Sequence, residues 1–257
     1  MAANDLDWIN MSRTQSSTGP DESAVPAPGA PAPADEVAQS SSTGQGQGDP
    51  SCDVAESRRE QILDMATCVF AEFGYRQTDV QVIADRLGIG KGTVYRYFPS
   101  KEGLFLETVD RGMRRLRQAI ESATTAESDP LKQIEAAVYA YCAYFDQHPE
   151  VIELIIVERS EFKERKRPTY FDYCEAGQQR WRALFAQMMD EGRIRRMPLD
   201  GPLDVIGDTL YGTIFTNHFA GRRKSFQLQA AEILDVIFHG ILAPASDRPG
   251  DREGSPQ

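Results

Sequence analysis

Residues 78–105 read TDVQVIADRLGIGKGTVYRYFPSKEGLF, and the order of caps, apolar residues and glycines in this stretch decides the fold. Asp79 stands where a helix N-cap belongs. Val80, Val82, Ile83, Ala84 and Leu87 follow at helical spacing, and Gly88 closes this short helix. Gly88-Ile89-Gly90 is a tight link, after which a further short helix runs from Lys91 to about Phe98, where Pro99 and Ser100 interrupt it. Two short helices joined by a glycine-containing turn have the layout of a helix-turn-helix unit, whose second helix is shaped to enter a major groove. Ala84 faces the crossing, where only a small side chain allows close approach, while Ile83, Leu87, Val94 and Phe98 close a small core. What remains outward is Gln81, Lys91, Thr93, Tyr95, Arg96 and Tyr97, a donor-rich and aromatic surface.

Toward the N-terminus, Ile62, Met65, Ala66, Val69, Phe70 and Phe73 predict an amphipathic helix from Ser57 to Gly74, a residue suited to a left-handed cap. Toward the C-terminus, Ser100 and Lys101 open a fourth helix carrying Leu104, Phe105, Thr108, Val109, Met113 and Leu116. Beyond Asp129-Pro130 the spacing predicts helices at about 131–147, 149–164, 169–192, 202–220 and 226–243, with breaks at Pro149, Pro168, Pro198, Pro202 and Gly221. No segment alternates like a strand, so the expected class is all-α: a three-helix helix-turn-helix domain followed by a larger helical ligand-binding and dimerisation bundle.

The chain of 257 residues has a net charge of −11, which by its sum argues against nucleic acid. Its distribution reverses the argument. Residues 1–56 carry nine acids and one base, residues 57–117 eight acids and eleven bases, and residues 118–257 twenty-two acids and sixteen bases. Only the middle segment is basic, and it contains the helix-turn-helix. Four domains follow as expectations: a disordered, acidic, Pro/Ser/Gly-rich tail at 1–56, the helix-turn-helix domain at 57–108, the helical bundle at 109–243, and a flexible tail at 244–257. No stretch is long and apolar enough for a membrane span and no signal segment is evident, so a cytoplasmic location is expected, nucleoid-associated when bound to DNA. Cys52, Cys68, Cys142 and Cys174 are scattered and read as reduced thiols.

GIGKGT invites comparison with a phosphate-cradling loop. That loop requires G-x-x-x-x-G-K-[ST] after a strand, whereas Asp85 occupies the first glycine position, Gly92 follows Lys91, and the preceding segment is helical. Nucleotide chemistry is therefore set aside.

Taken together, Ile83-Ala84, Gly88-Ile89, Lys91-Gly92-Thr93, Tyr95, Tyr97-Phe98 and Lys101-Glu102 resemble, without a gap, the DNA-binding signature of the TetR family of bacterial transcriptional regulators. The resemblance covers roughly residues 57–108; the rest is similar only in helix number and order. It implies DNA contacts from Thr78, Gln81, Lys91, Gly92, Thr93, Tyr95, Tyr97 and Lys101. In that assignment Gln81 and Thr93 read base edges, while the hydroxyl of Thr78, the phenols of Tyr95 and Tyr97, and both lysines meet phosphates. The family usually caps with Ser or Thr where this chain has Asp79 and Gly90, and a capping-box Glu is replaced by Val82. Asp79 thus places a negative charge where a phosphate would lie.

The resemblance also implies a homodimer through the last two helices and an unknown small-molecule effector in the bundle. Residues 202–220 and 226–243 are apolar around much of their circumference, which fits burial on more than one side. Candidate pocket residues are Tyr141, Tyr144, Phe145, Glu158, Phe162, Tyr173, Trp181 and His218, with Tyr170, Phe185, Glu153, Arg159 and Asn217 as further choices. His148, His218 and His239 are too far apart in sequence to suggest a metal site, no cofactor is expected, and no nucleophile, acid and base assemble into catalysis. The expected function is a sequence-specific regulator, a repressor that binds a palindromic operator in double-stranded DNA and is released by an apolar or aromatic effector. The competing reading is a small-molecule-binding or weakly hydrolytic helical protein with a vestigial helix-turn-helix.

Overall fold

The computed structural model describes residues 50–221 and 224–239, with side chains from residue 56 onward. Most of the expected acidic tail and the whole of the expected C-terminal tail lie outside the described residues. Among the described residues all regular structure is helical.

Helix α1 spans Pro50–Gln77, α2 Val80–Arg86 and α3 Lys91–Tyr97. α1 begins earlier than apolar spacing predicts, with Pro50 at its first position, where a missing N–H is harmless. The residues that follow Pro50 are mostly small or polar and carry no periodic signal. Gly74 interrupts α1 with φ of +72°, a conformation that disfavours any side chain, and the chain then turns toward α2. Asp79 caps α2 by accepting the Gln81 N–H at 2.8 Å, so the acid performs the capping role despite the absent capping box. The link closes where Ile89 N–H donates to the Ala84 carbonyl at 3.0 Å, over the small side chain that permits the crossing.

The core beneath these helices joins Ile62, Leu63, Ala66, Val69 and Phe70 of α1 to Val80, Ile83 and Ala84 of α2, with Val94 and Phe98 from above. It is not closed by the N-terminal helices alone. Leu104, Phe105 and Val109 of α4 (Lys101–Thr125) enter it, as do Leu154 of α6 (Pro149–Glu161) and Phe162 just beyond. Phe162 stacks on Phe105 with centroids 5.4 Å apart, and Tyr75 meets both rings edge-on.

α4 crosses the expected boundary at residues 108/109 without a break. Its first half lies in the core just described, while Met113 and Leu116 belong to a second core. That second core includes residues of α5 (Pro130–Gln147), α6, α7 (Thr169–Asp190), α8 (Asp200–Ala220) and α9 (Phe226–His239). Gly112 marks the closest approach: a Cβ there would meet a Val151 methyl at 3.0 Å, and the Gly112 carbonyl accepts the Tyr144 hydroxyl at 2.7 Å. Buried Arg111 secures α4 to α1 by donating to Glu60 at 2.7 Å and to Asp64, with Arg115 beside them. One helix therefore carries the helix-turn-helix and also forms a wall of the bundle.

Candidate nucleic-acid interface and effector cavity

α3 buries Val94 and leaves Gly92, Tyr95 and Arg96 exposed, with Lys91, Thr93 and Tyr97 partly so. A side chain at Gly90 or Gly92 would meet nothing within 4 Å. Neither glycine has a positive φ, so no packing or backbone demand within the chain calls for glycine there. The open space there leaves room for the backbone of another molecule to approach. Around this face Asp79, Lys91 and Lys101 are already engaged. Lys91 Nζ donates to Asp79 Oδ1 at 2.7 Å. The Gln81 amide donates to Asp85 Oδ1 at 2.7 Å, which leaves its oxygen and second N–H outward. Lys101 donates to the Arg76 carbonyl at 3.2 Å and lies 4.6 Å over the Tyr75 ring. Burial pushes its pKa down. The Asp79 carboxyl is held below its ordinary range first by the Gln81 N–H and next by Lys91.

A cavity of about 840 Å³ opens in the bundle between α4, α5, α7 and α8. Apolar side chains such as Leu116, Val138, Phe185 and Leu210 line it, together with Tyr141, Tyr170, Tyr173 and Trp181. Its volume is in the range of small-molecule sites. The Tyr141 and Tyr170 hydroxyls are 2.9 Å apart and buried, and Tyr173 donates from the wall to Asp110 on α4 at 2.8 Å.

A sequence profile for bacterial regulatory proteins of the tetR family matches residues 62–108, the segment that forms α1's core face, α2, α3 and the start of α4. This segment of the chain is similar to the tetR-family regulators. The chain is 29% identical over 141 residues to the HTH-type transcriptional repressor KstR2 of Mycolicibacterium smegmatis, covering 53% of this chain and 65% of that one. It is 31% identical over 100 residues to the activator FasR of the same organism, covering 39% and 46%. The alignments thus span less than two thirds of either relative's length. Among solved structures, the regulator FadR of Bacillus subtilis in complex with stearoyl-CoA superposes with a TM-score of 0.59 at 17% identity, covering 71% of this chain and 99% of that one. That likeness shows a fold shared beyond the helix-turn-helix.

The expected site residues divide. Gln81, Lys91, Gly92, Thr93 and Tyr95 share the outer side of the helix-turn-helix, and Lys101 sits beside it with its ammonium drawn inward, while Tyr97 is half-buried and packs against the first core. Thr78 departs from the expectation of an exposed hydroxyl: it is 3% exposed and donates to the Gly74 carbonyl at 2.7 Å, securing the turn between α1 and α2. Of the expected pocket residues, Tyr141, Tyr173 and Trp181 line the cavity. The other five lie elsewhere. Tyr144 bonds to Gly112, and Phe145 packs in the second core. Phe162 belongs to the first core. His218 pairs with Glu153 at 2.7 Å, tying α8 to α6. Glu158 is fully buried and accepts both the N–H and the hydroxyl of Thr169, so it anchors the start of α7 and does not face the cavity. Asn217 likewise bonds Gln229 at 2.6 Å between α8 and α9.

Sequence reasoning missed Asp110 and the α4 and α8 cavity walls, because spacing within one helix does not reveal which helix faces it. From the cavity wall a series of polar contacts runs toward α3. Tyr173 meets Asp110, Asp110 meets Arg114 at 3.0 Å, and Arg114 meets Glu107 at 3.1 Å. Glu107 then meets Arg59 at 2.8 Å, and Arg59 lies 5.2 Å over the ring of Phe98, the C-cap of α3.

Proposed function

We propose that this protein is a sequence-specific DNA-binding transcriptional regulator that works as a homodimer, with α3 of each protomer entering a major groove of a palindromic operator. The observation that carries the reading is the outer face of α2 and α3. Donor-bearing and aromatic side chains stand there beside two glycines that nothing inside the chain requires, within the segment matched by the family profile. The only basic part of the sequence coincides with it. Residues 57–108 act as the DNA-binding domain and residues 109–243 as the effector and dimerisation domain, with α4 common to both.

Dimerisation through α8 and α9 is supported by Val205, Phe219, Leu228 and Val236, which are large, apolar and 50–71% exposed in the single chain. A two-fold axis there would present paired α3 helices to successive grooves about 34 Å apart. The cavity is the effector site, and the name of the FadR structure, which holds stearoyl-CoA, supports a largely apolar occupant. The repressor name of one relative favours repression relieved by effector. No described helix is long and apolar enough to cross a membrane, in keeping with action in the cytoplasm.

The test is fluorescence anisotropy with labelled DNA from the region flanking the protein's own coding sequence. Sequence-selective binding whose affinity falls steeply with salt is expected. Equal affinity for that DNA and a scrambled duplex at every salt concentration would overturn the proposal.

A further inference from the structure

The cavity's chemistry narrows what it holds. Its interior is apolar, with Leu116, Ile120, Val138, Phe185, Ile206 and Leu210 among its walls. Charge on the lining cancels: Arg117, Lys166, Arg167 and Arg180 are matched in number by Glu121, Glu175, Asp204 and Asp208. All four cations are exposed; two of them have carboxylate partners and a third makes only neutral contacts. Arg167 pairs with Glu175, Arg117 with Glu121 at 3.6 Å, and Arg180 donates to the Thr124 hydroxyl at 2.7 Å. Lys166 is exposed at the rim. The lining thus holds no buried cation awaiting an anion, and an ionised carboxylate drawn inside would lose its hydration without compensation.

The buried polar feature is the phenol pair. Tyr141 comes from α5 and Tyr170 from α7; they are 6% and 4% exposed, and both line the cavity. Two phenols carry two hydroxyl protons, and the 2.9 Å contact between them uses one. Among the described residues the second proton has no oxygen or nitrogen acceptor, only the neighbouring Cys174 thiol, and sulfur accepts weakly. Burial raises the pKa of both phenols, so both remain neutral donors.

We propose that the part of the ligand inside the cavity is neutral and largely apolar and carries one carbonyl oxygen, of a ketone, ester or acyl thioester, which accepts the remaining proton of the Tyr141–Tyr170 pair. This deepens the effector reading and rests on it for the role of the cavity. It does not depend on DNA binding.

Trp181 on the lining supplies a fluorescence readout, and calorimetry an independent one. Three probes separate the chemistries: 2-undecanone, undecanoate and dodecanoyl-CoA. The ketone or the thioester should bind, with undecanoate at least about tenfold weaker than the better of them. Tyr141→Phe and Tyr170→Phe, which remove only the hydroxyls, should each weaken that binding about threefold to tenfold, the range expected for one hydrogen bond. Binding of the thioester alone assigns the carbonyl to an acyl chain whose headgroup stays outside; binding of the ketone assigns it to a free neutral molecule. Undecanoate binding as tightly as either, no binding by any probe, or unchanged affinities in variants with unaltered melting temperature would overturn the proposal. The comparison of ketone with carboxylate uses the unaltered protein, so a variant that misfolds does not remove the test. A failed DNA-binding experiment would leave this result intact, and failure here would leave the DNA-binding reading intact.

Discussion

Replacing Asp79 with Ser separates two roles that one carboxylate now performs. Its Oδ1 caps α2 through the Gln81 N–H at 2.8 Å and also receives Lys91 Nζ at 2.7 Å. A serine hydroxyl can keep the cap while releasing the lysine and removing a negative charge from the face proposed to meet the phosphates. Each lysine freed to neutralise a phosphate steepens the fall of log K with log salt by about 0.9, so a dimer should gain about 1.8 in slope. Between 50 and 200 mM salt the variant should therefore lose about twelvefold more affinity than the parent, having started from tighter binding at low salt. The assay is anisotropy on one operator fragment across that salt range, with thermal melting to confirm that the cap survives. Because the Asp79 carboxyl is held below its ordinary range, the comparison should not change between pH 6 and 8. An unchanged slope, or weaker binding at low salt with an unchanged melting temperature, would refute the claim that Asp79 withholds Lys91 from DNA.

Glu158→Ala should destabilise the protein by about 3–5 kcal/mol, since it strips a buried carboxylate from Thr169 and Arg165; a melting temperature lowered by roughly 10 °C checks this. Asp110→Asn should leave DNA affinity nearly unchanged without effector but shrink the effector's influence on it, because Asp110 joins Tyr173 at the cavity to Arg114; an undiminished effect in titrations with and without effector would rule that contact out as a coupling element. Phe219→Asp should convert a dimer to a monomer in analytical ultracentrifugation, given that Phe219 is 71% exposed in the single chain. Burial pushes the Tyr144 phenol up to about 12, so it stays protonated in the folded state while its unfolded counterpart ionises near pH 10. Stability should fall as pH rises from 10 to 12, by about 2–3 kcal/mol from this group, and Tyr144→Phe should lack that share in urea melts.

The helices were legible where their signals are local. Asp79, Ser100 and Asp129 each accept N–H groups of the helix they precede, and Gly74, Gly88 and Gly221 adopt positive φ at the breaks. The start of α1 was not legible, because the stretch after Pro50 has no apolar period. The outer face of the helix-turn-helix could be read by subtraction once Ile83, Ala84 and Val94 were assigned inward. The pocket could not, since aromatics at helical spacing serve core and cavity alike: Tyr141 and Phe145 lie one turn apart on α5, yet only Tyr141 reaches the cavity.

By itself the sequence determined the all-helical class, the helix-turn-helix between residues 80 and 98, and the side it turns outward, because caps, glycines and apolar spacing act within a few residues of one another. Only the tertiary structure decided which charges on that side are engaged, that Glu158 and Phe162 hold helices together, and that α4 both carries the helix-turn-helix and walls the cavity. Those outcomes depend on contacts between side chains far apart in the chain, such as Arg111 with Glu60 and Tyr173 with Asp110, and no local pattern encodes them.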